Sequence, residues 1–311
     1  MPVLSKLTGL AQNPRRYAWL ALNMAAPNWM PINYLFMAPI FKGSHGHWPR
    51  HPSRPDASFN DYFFHRMIRN GWTDLEKRCV DKEFAKQIAK DLCPRVKTPK
   101  TIKLFDLKKV PKGDFMAEML PLRGRRLVAK PTHGSGHVVF MKDDPAVDKI
   151  EGLYKSKSWR HFWADRQSVH IDLNPKVIVE EELPEGENTD YKFFCARGHA
   201  ICCQIDVDRF SDHRRAMVTV PDFQPHDVLY SYPPPAANYK KPAQFEIMAE
   251  IASQLSKQFE FVRIDLYTAS NSVYFGEFTF NPNAAMEVIR NEQDFGVLIL
   301  KRIRAAQSLR V

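Results

Sequence analysis

The sequence predicts a mixed α+β fold, and three features support this prediction. The chain has 311 residues, of which 44% are apolar, enough to bury a core and to build two or three subdomains. Strand-like runs of β-branched or alternating apolar residues recur along the chain, and segments with helical periodicity lie before and between them. We see no internal repeat. Strands and helices in this order indicate an α/β or α+β architecture.

The net charge favours certain classes of binding partner, and the cysteines indicate the redox compartment. A net charge of +10 predicts a polyanionic partner, such as a nucleotide, a nucleic acid, an acidic polysaccharide or an anionic membrane surface. The sequence contains no basic helix with interleaved aromatic residues and no zinc-finger spacing, so nucleic acid is the least favoured of these. The five cysteines are odd in number and lack CxxC spacing, which favours buried thiols in a reducing compartment.

Residues 1–57 are predicted to form an irregular N-terminal extension, because prolines and asparagines interrupt them repeatedly. The stretch 17–41 contains no charged residue, yet its three prolines make it a poor membrane span. Two alternatives remain open: peripheral membrane contact through 17–41, and an export signal beginning at Arg15 and Arg16. If the protein uses ATP, we expect it in the cytoplasm, with any membrane contact at the inner face.

The predicted helices and strands after residue 57 divide the rest of the chain into three subdomains. Residues 59–92 have the apolar spacing of two helices, and a later helix begins at Phe245. The predicted strands are Thr101 to Phe105, Arg126 to Lys130, Val177 to Val179, Tyr191 to Cys195, His199 to Val207, Val262 to Tyr267 and Val273 to Phe280. We therefore expect a lead-in subdomain at 58–120, a lid subdomain at 121–190 and a C-terminal subdomain at 191–311.

A strand that delivers a lysine into a glycine-bearing turn is the first candidate for binding chemistry. Lys130 ends the strand, and Gly134, Ser135 and Gly136 form the turn before a second β-branched strand. Glycines let backbone amides approach a phosphate, and the lysine supplies a positive charge. The lysine precedes the turn and strand follows it, so this is not a Walker A loop. An ordinary hairpin is the alternative.

The last predicted hairpin is the second candidate. Alternation along its strands places Arg263 and Asp265 on one face of the first strand, and Glu277 and Thr279 on one face of the second. Antiparallel pairing through the short loop would bring Asp265 beside Glu277. Two converging carboxylates suit Mg²⁺, which prefers hard oxygen ligands. The alternative is a carboxylate balanced by Arg263 or solvated on an open face.

An acidic cluster at the end of a short strand is the third candidate. Glu180, Glu181 and Glu182 follow Val177 to Val179 and precede Leu183. A strand that ends in free backbone groups can pair with an adenine edge, and a carboxylate can bind ribose hydroxyls. A solvated acidic loop is the alternative.

Taken together, these segments resemble the TupA-like branch of the ATP-grasp superfamily. The resemblance covers about residues 58 to 285, and the two blocks at its C-terminal end are its most specific part. The residues that carry it are Phe59-Asn60, Asp81-Lys82, Val128 to Gly136, Val179 to Glu181, Asp190 to Phe193, Asp206 to Phe210, Phe261 to Tyr267 and Tyr274 to Phe280.

The resemblance implies an ATP-grasp fold, in which ATP and Mg²⁺ lie between two α+β subdomains. It implies that the nucleotide is bound by Lys82, Lys130, His133, Gly134, Ser135, Gly136, Glu180, Glu181, Glu182, Leu183 and Asp190. Asp265, Glu277 and Thr279 would bind the metal, although many ATP-grasp ligases carry Glu-x-Asn where this chain has Thr279. The implied catalytic residues are Lys130, together with Lys192, Arg209 and Arg263, which would grip an anionic acceptor or the γ-phosphate.

Similar enzymes phosphorylate a carboxylate and let an amine displace the phosphate. The resemblance therefore implies an ATP-dependent carboxylate–amine ligase that acts on a small molecule or polymer precursor in cell-surface polysaccharide or glycopeptide biosynthesis. Two alternatives remain open. One is a phosphotransferase or glycan-assembly enzyme that uses the same nucleotide site, and the other is a non-catalytic nucleotide-binding module.

Overall fold

The computed structural model describes residues 14–134, 136–158, 162, 165–184, 189–208, 212–226, 233–235, 240–289 and 292–307. The helices are α1 (Pro14–Ala25), α2 (Met30–His45), α3 (Phe59–Ile68), α4 (Asp74–Cys79), α5 (Lys82–Leu92), α6 (Lys112–Met119), α7 (Val147–Lys155), α8 (Phe245–Leu255) and α9 (Glu292–Gln307). The strands are β1 (Thr101–Asp106), β2 (Leu127–Pro131), β3 (Val139–Phe140), β4 (Lys176–Glu181), β5 (Thr189–Ala196), β6 (His199–Val207), β7 (Arg214–Thr219), β8 (Val262–Ala269) and β9 (Ser272–Thr279). The predicted mixed fold and each predicted strand are confirmed, with bounds shifted by a few residues.

A four-stranded antiparallel sheet in the order β1-β4-β2-β3 forms the smaller unit. One face packs against α6 and α7 through Phe115, Met119, Ile150 and Leu153. Residues directly opposite on neighbouring strands share a face, so the pairing of Lys130 with Ile178 places Lys130 on the other face. This sheet takes β1 from the segment that we expected to form the lead-in.

A five-stranded antiparallel sheet in the order β7-β6-β5-β8-β9 forms the larger unit. Helices α5 and α8 cover one face, where Ile88, Phe245 and Leu255 join the apolar side chains of the strands. Helices α2, α3 and α9 cover part of the opposite face around Phe194. The rest of that second face carries polar side chains.

Within the predicted irregular extension, residues 14–25 and 30–45 are helical, which corrects that prediction for the described part of this segment. Helix α2 tolerates Pro31 because it lies in the first turn, where no intrahelical backbone donor is needed. It also contains Pro39 within its length. Tertiary packing offsets the cost of that proline, because Met37 and Phe41 are buried against α3. Among the described residues, no helix combines the length and apolar content that a bilayer crossing requires.

A buried arginine also links these two helices to the rest of the protein. Arg166 is fully buried and donates hydrogen bonds to carbonyl oxygens in the last turn of α1 and just after it, at Asn23, Ala26 and Pro27. It also donates to the side-chain oxygen of Asn33 on α2, at 3.1 Å. The guanidinium neutralises helix C-terminal carbonyls, which carry partial negative charge and have no partners within the helix. The N-terminal helices are therefore an integral part of the fold.

Replacing Arg166 with alanine should loosen the N-terminal helices, because buried carbonyls would lose their donors. We expect the free energy of unfolding to fall by about 3 kcal/mol. Amide hydrogen exchange in α1 and α2 should accelerate more than exchange in the five-stranded sheet. The control is Arg95→Ala, which removes an exposed ion pair with Glu250 and should cost less than about 1 kcal/mol. Unchanged exchange in α1 and α2 would contradict this role of Arg166.

Candidate functional site

Helix α5 presents two lysines between the sheets. Asp81 caps the helix by accepting a hydrogen bond from the backbone of Glu83, and Lys176 holds the Asp81 carboxylate at 3.0 Å. Lys82 and Lys86 lie four residues apart and therefore share a face of the helix. The opposite face of α5 packs on the five-stranded sheet. The fixed helix start thus directs both ammonium groups toward the space between the sheets.

Lys82 connects the glycine-bearing turn to the larger sheet. Its ammonium donates to the carbonyl oxygen of Gly134 at 2.6 Å and lies 3.7 Å from a carboxylate oxygen of Glu277. The turn runs from β2 to β3 as the sequence predicts, and Gly136 adopts a positive φ of 81°. Ser135 lies outside the described residues. The predicted lysine, glycine turn and Glu277 therefore meet at one place.

Glu180 is buried and forms ion pairs with two lysines, so it does not lie in a solvated loop. Its carboxylate is 2.9 Å from the ammonium of Lys130 and also contacts Lys86. Glu180 is only 2% exposed, whereas Glu181 is exposed. The pairing of Val128 with Glu180 and of Lys130 with Ile178 puts these side chains on the cleft face of the smaller sheet. Burial and the nearby ammonium of Lys82 lower the pKa of Lys130 to about 8, while Glu277 opposes the shift.

The β8–β9 hairpin brings the predicted metal-binding residues together. Asp265 pairs with Glu277 in the register that alternation predicts. A bulge follows this pair, and Gly276 occupies it because an added Cβ would lie 3.0 Å from the carbonyl oxygen of Asp265. The hydroxyl of Thr279 lies 3.2 Å from Glu277 and accepts a hydrogen bond from Arg263 at 3.1 Å. Thr279 thus orients Glu277.

The two carboxylates of the hairpin differ in their environment. Asp265 is buried and accepts two hydrogen bonds from Arg263, at 2.7 and 2.8 Å. Burial raises the pKa of Asp265 to about 6, since it outweighs the attraction of Arg263, and the charge of Glu277 adds to the rise. Burial also acts to raise the pKa of Glu277, but Lys82, Arg263 and the other cations nearby lower it to about 2. Glu277 is therefore the more strongly ionised of the pair, and a third of its side chain remains accessible.

Lys192, which the resemblance implies as a group that grips an anion, is paired with two acids in the structure. Its ammonium is 2.9 Å from Asp190 and also contacts Asp206. Burial acts to raise the pKa of Asp206, but Lys192 and Arg215 hold it well below its usual range. Lys192 pairs with Asp265 across β5 and β8, so this ion cluster continues the polar face from Glu277. Arg209, the third predicted grip, lies outside the described residues.

The other predicted nucleotide-binding residues are placed around these clusters. His133 is buried, and its ring lies 3.0 Å from the carbonyl oxygen of Ser156, so it anchors the turn. Glu182 and Leu183 are half-buried just beyond β4. Asp190 pairs with Asp206 in β5 and β6. The residues 185–188, which connect these positions, lie outside the described part of the chain.

Lys86 is the main site residue that sequence reasoning missed. Its spacing of four from Lys82 on a predicted helix was a usable signal. Leu104 was also missed; it shares the cleft face of the smaller sheet with Lys130 and is 38% exposed, offering an apolar wall. Within the described ranges, no three His, Cys, Asp or Glu side chains converge in a way that could hold a metal ion.

Two α+β units with lysines and carboxylates facing one another are typical of the ATP-grasp class. A family model described as TupA-like ATP-grasp matches residues 65–297. The match spans most of the chain, and the chain therefore belongs to the TupA-like ATP-grasp family.

Solved structures of ligases are similar to the chain at low identity. D-alanine–D-alanine ligase from Bacillus anthracis has 15% identity and a TM-score of 0.43, over 75% of this chain and 70% of that one. The ATP-grasp ligase PsnB in complex with its minimal precursor has 13% identity and a TM-score of 0.38, over 75% and 61% of the two chains. A comparison with curated proteins gives no match.

Substitutions at Glu180 and at its neighbour Glu181 test whether Glu180 holds the two lysines. Glu180→Gln should lower the free energy of unfolding by about 3 kcal/mol, because two lysines would lose their buried counter-charge. Glu181→Gln, one residue along the chain, should change it by less than about 0.5 kcal/mol because Glu181 is exposed. Urea denaturation measures both. Equal effects would show that Glu180 does not hold the lysines.

Proposed function

We propose that the protein is an ATP-dependent carboxylate–amine ligase of the ATP-grasp type. One observation carries the proposal: the ammonium of Lys82 contacts both the glycine-bearing turn at Gly134 and the carboxylate of Glu277. Groups from distant parts of the chain that would bind phosphate and metal are thereby close together, which supports a single nucleotide site. Membership of the ATP-grasp family supports ATP as the bound nucleotide.

The cationic side of the cleft suits a triphosphate. Lys82, Lys86 and Lys130 lie on one helix and one strand, and each is held by a protein carboxylate or carbonyl. Phosphate oxygens can replace these partners, since they offer equal or greater negative charge. Backbone amides of the glycine-bearing turn would add donors that need no side chain. Leu104 on the cleft wall suits the apolar face of adenine.

The residues on the opposite side fit Mg²⁺. Glu277 is ionised and partly accessible, and the carboxylate of Asp265 retains lone pairs beyond the two that Arg263 occupies. Asn281 is buried, and neither polar atom of its amide has a hydrogen-bond partner among the described residues. Mg²⁺ typically uses one or two carboxylates together with nucleotide phosphates. When bound, the ion would offset negative charge on the transferring phosphoryl group.

The proposed reaction has two steps. The γ-phosphoryl group passes from ATP to an oxygen of the donor carboxylate, which gives an acylphosphate and ADP. The amine nitrogen then bonds to the acyl carbon, phosphate leaves, and the amine proton passes to a base or to solvent. Lys130 and Arg263 would stabilise charge on the transferring group. Closure of the glycine-bearing turn would exclude the water that hydrolyses an acylphosphate.

We further propose that the acceptor is a small molecule or polymer precursor of the cell surface, which rests on family analogy. The polar face that runs from Glu277 through Lys192 to Arg215 contains both acids and bases. Such a surface suits an acceptor with both positive and negative groups better than it suits a purely anionic acceptor. Arg215, which contacts both Asp206 and Glu287, is the cation best placed to meet it.

Nucleotide binding can be tested by stabilisation. Mg-ATP at a hundred times its dissociation constant should raise the free energy of unfolding by about 2.7 kcal/mol. At the same ligand concentration, Lys130→Met should lose most of this gain, whereas Lys149→Met, an exposed lysine of the same subdomain, should keep it. Thermal unfolding with and without Mg-ATP measures the difference. Equal stabilisation of both variants would exclude Lys130 from the nucleotide site.

The reaction class can be tested by acceptor dependence. ADP release from Mg-ATP should require both a carboxylate and an amine from a pool of cell-envelope metabolites, and mass spectrometry should find an amide product. ADP release that depends on a sugar hydroxyl would favour a phosphotransferase. Nucleotide binding without turnover on any pool would favour a non-catalytic module.

A further inference from the structure

The N-terminal helices and the residues that follow each of them expose several large apolar side chains. Helix α2 buries Asn33, Met37 and Phe41 on one side, yet its opposite side is also apolar. The exposed side chains of this region are Leu22, Met24, Trp29, Met30, Leu35, Ile40 and Trp48, with accessibilities from 39% to 68%. A helix that is apolar on every side normally has both sides covered. We call these seven residues the N-terminal apolar surface.

The surface adjoins a shallow groove and shares Leu35 and Ile40 with it. Trp19, Leu35, Phe36, Pro39 and Ile40 line a space of about 520 Å³ between α1 and α2. Arg166 holds both helices from beneath and stacks on the Phe36 ring at 4.7 Å. The apolar groups are therefore presented by a fixed scaffold.

The charge of the same segment favours an anionic partner. Residues 1–55 contain no aspartate or glutamate, and the first acidic residue of the chain is Asp56. The basic residues of this segment are Lys6, Arg15, Arg16, Lys42, Arg50 and Arg54. Lys42 is exposed beside the apolar surface, where its ammonium lies 4.7 Å from the Trp48 ring. Arg50 and Arg54 pair with Asp56. The exposed Lys42 beside the apolar surface, together with the excess of basic over acidic residues in the segment, matches a surface that is apolar inside and anionic at its boundary.

We propose that the N-terminal apolar surface binds the interface of an anionic lipid bilayer without crossing it. The two exposed tryptophans suit the headgroup region, where an aromatic ring meets both hydrocarbon and water. The apolar side chains would enter the acyl boundary, and the cations would attract acidic headgroups. The ligase proposed above would then act at a membrane surface, but the contact does not depend on that activity.

Vesicle sedimentation with the full chain tests this proposal. The protein should pellet with vesicles that mix phosphatidylglycerol and phosphatidylcholine, and far less with vesicles of phosphatidylcholine alone. Trp29→Ser combined with Leu35→Ser should weaken partitioning about tenfold or more, because two large apolar groups are lost. Lys42→Gln should weaken it about fivefold through the loss of one charge.

The matched control is Ile247→Ser combined with Val297→Ser, which removes two exposed apolar side chains from α8 and α9. This control should bind vesicles as the unmodified protein does, and circular dichroism should show that every variant is folded. Absence of vesicle binding, or equal loss in the control, would overturn the proposal. Self-association of the unmodified protein, lost in the Trp29/Leu35 variant and unaffected by vesicles, would assign the surface to a second copy of the chain instead.

Discussion

The placement of Lys82 and Lys86 on one face of α5 is the constraint on which the cleft depends. Lys86 contacts Glu180 of the smaller sheet, and Lys82 lies near Glu277 of the larger one. Ammonium groups removed from water need counter-charges, so each lysine attracts an acid from a different sheet. The core of the larger sheet fixes the position of α5. One short helix thereby sets the distance and orientation between the two halves of the site.

The same ion pairs explain how a strongly cationic site can exist before a polyanion arrives. Glu180 and Glu277 offset three lysines that would otherwise repel one another, and burial lowers the pKa of Lys130 toward neutrality. Under the proposed function, a metal ion would take Glu277 and release Lys82 for phosphate. Phosphate oxygens near Lys130 would then raise its pKa again and favour the charged form. Under the same proposal, the protein carboxylates would be replaceable partners for the cations.

The sequence was most informative where local periodicity decides the structure. Alternation and antiparallel pairing through the short loop predicted that Asp265 would lie near Glu277, and the bulge at Gly276 brings the two residues opposite each other. The sequence also predicted the glycine-bearing turn after Lys130. It did not predict the ion pair between Lys86 and Glu180, because this contact depends on the packing of a helix against a strand that is remote in the chain. The helix Met30–His45 was missed because its prolines were weighed against helix formation, whereas burial of Met37 and Phe41 against α3 outweighs that penalty.

A crystal structure of the protein with Mg²⁺ and a non-hydrolysable ATP analogue would show whether the two sheets share one nucleotide site. We expect the phosphate chain to lie between the ammonium groups of Lys82 and Lys130 and the carboxylate of Glu277, with the glycine-bearing turn closed over it. A nucleotide bound elsewhere, with these three side chains still paired to protein groups as they are now, would show that the cleft is not the nucleotide site.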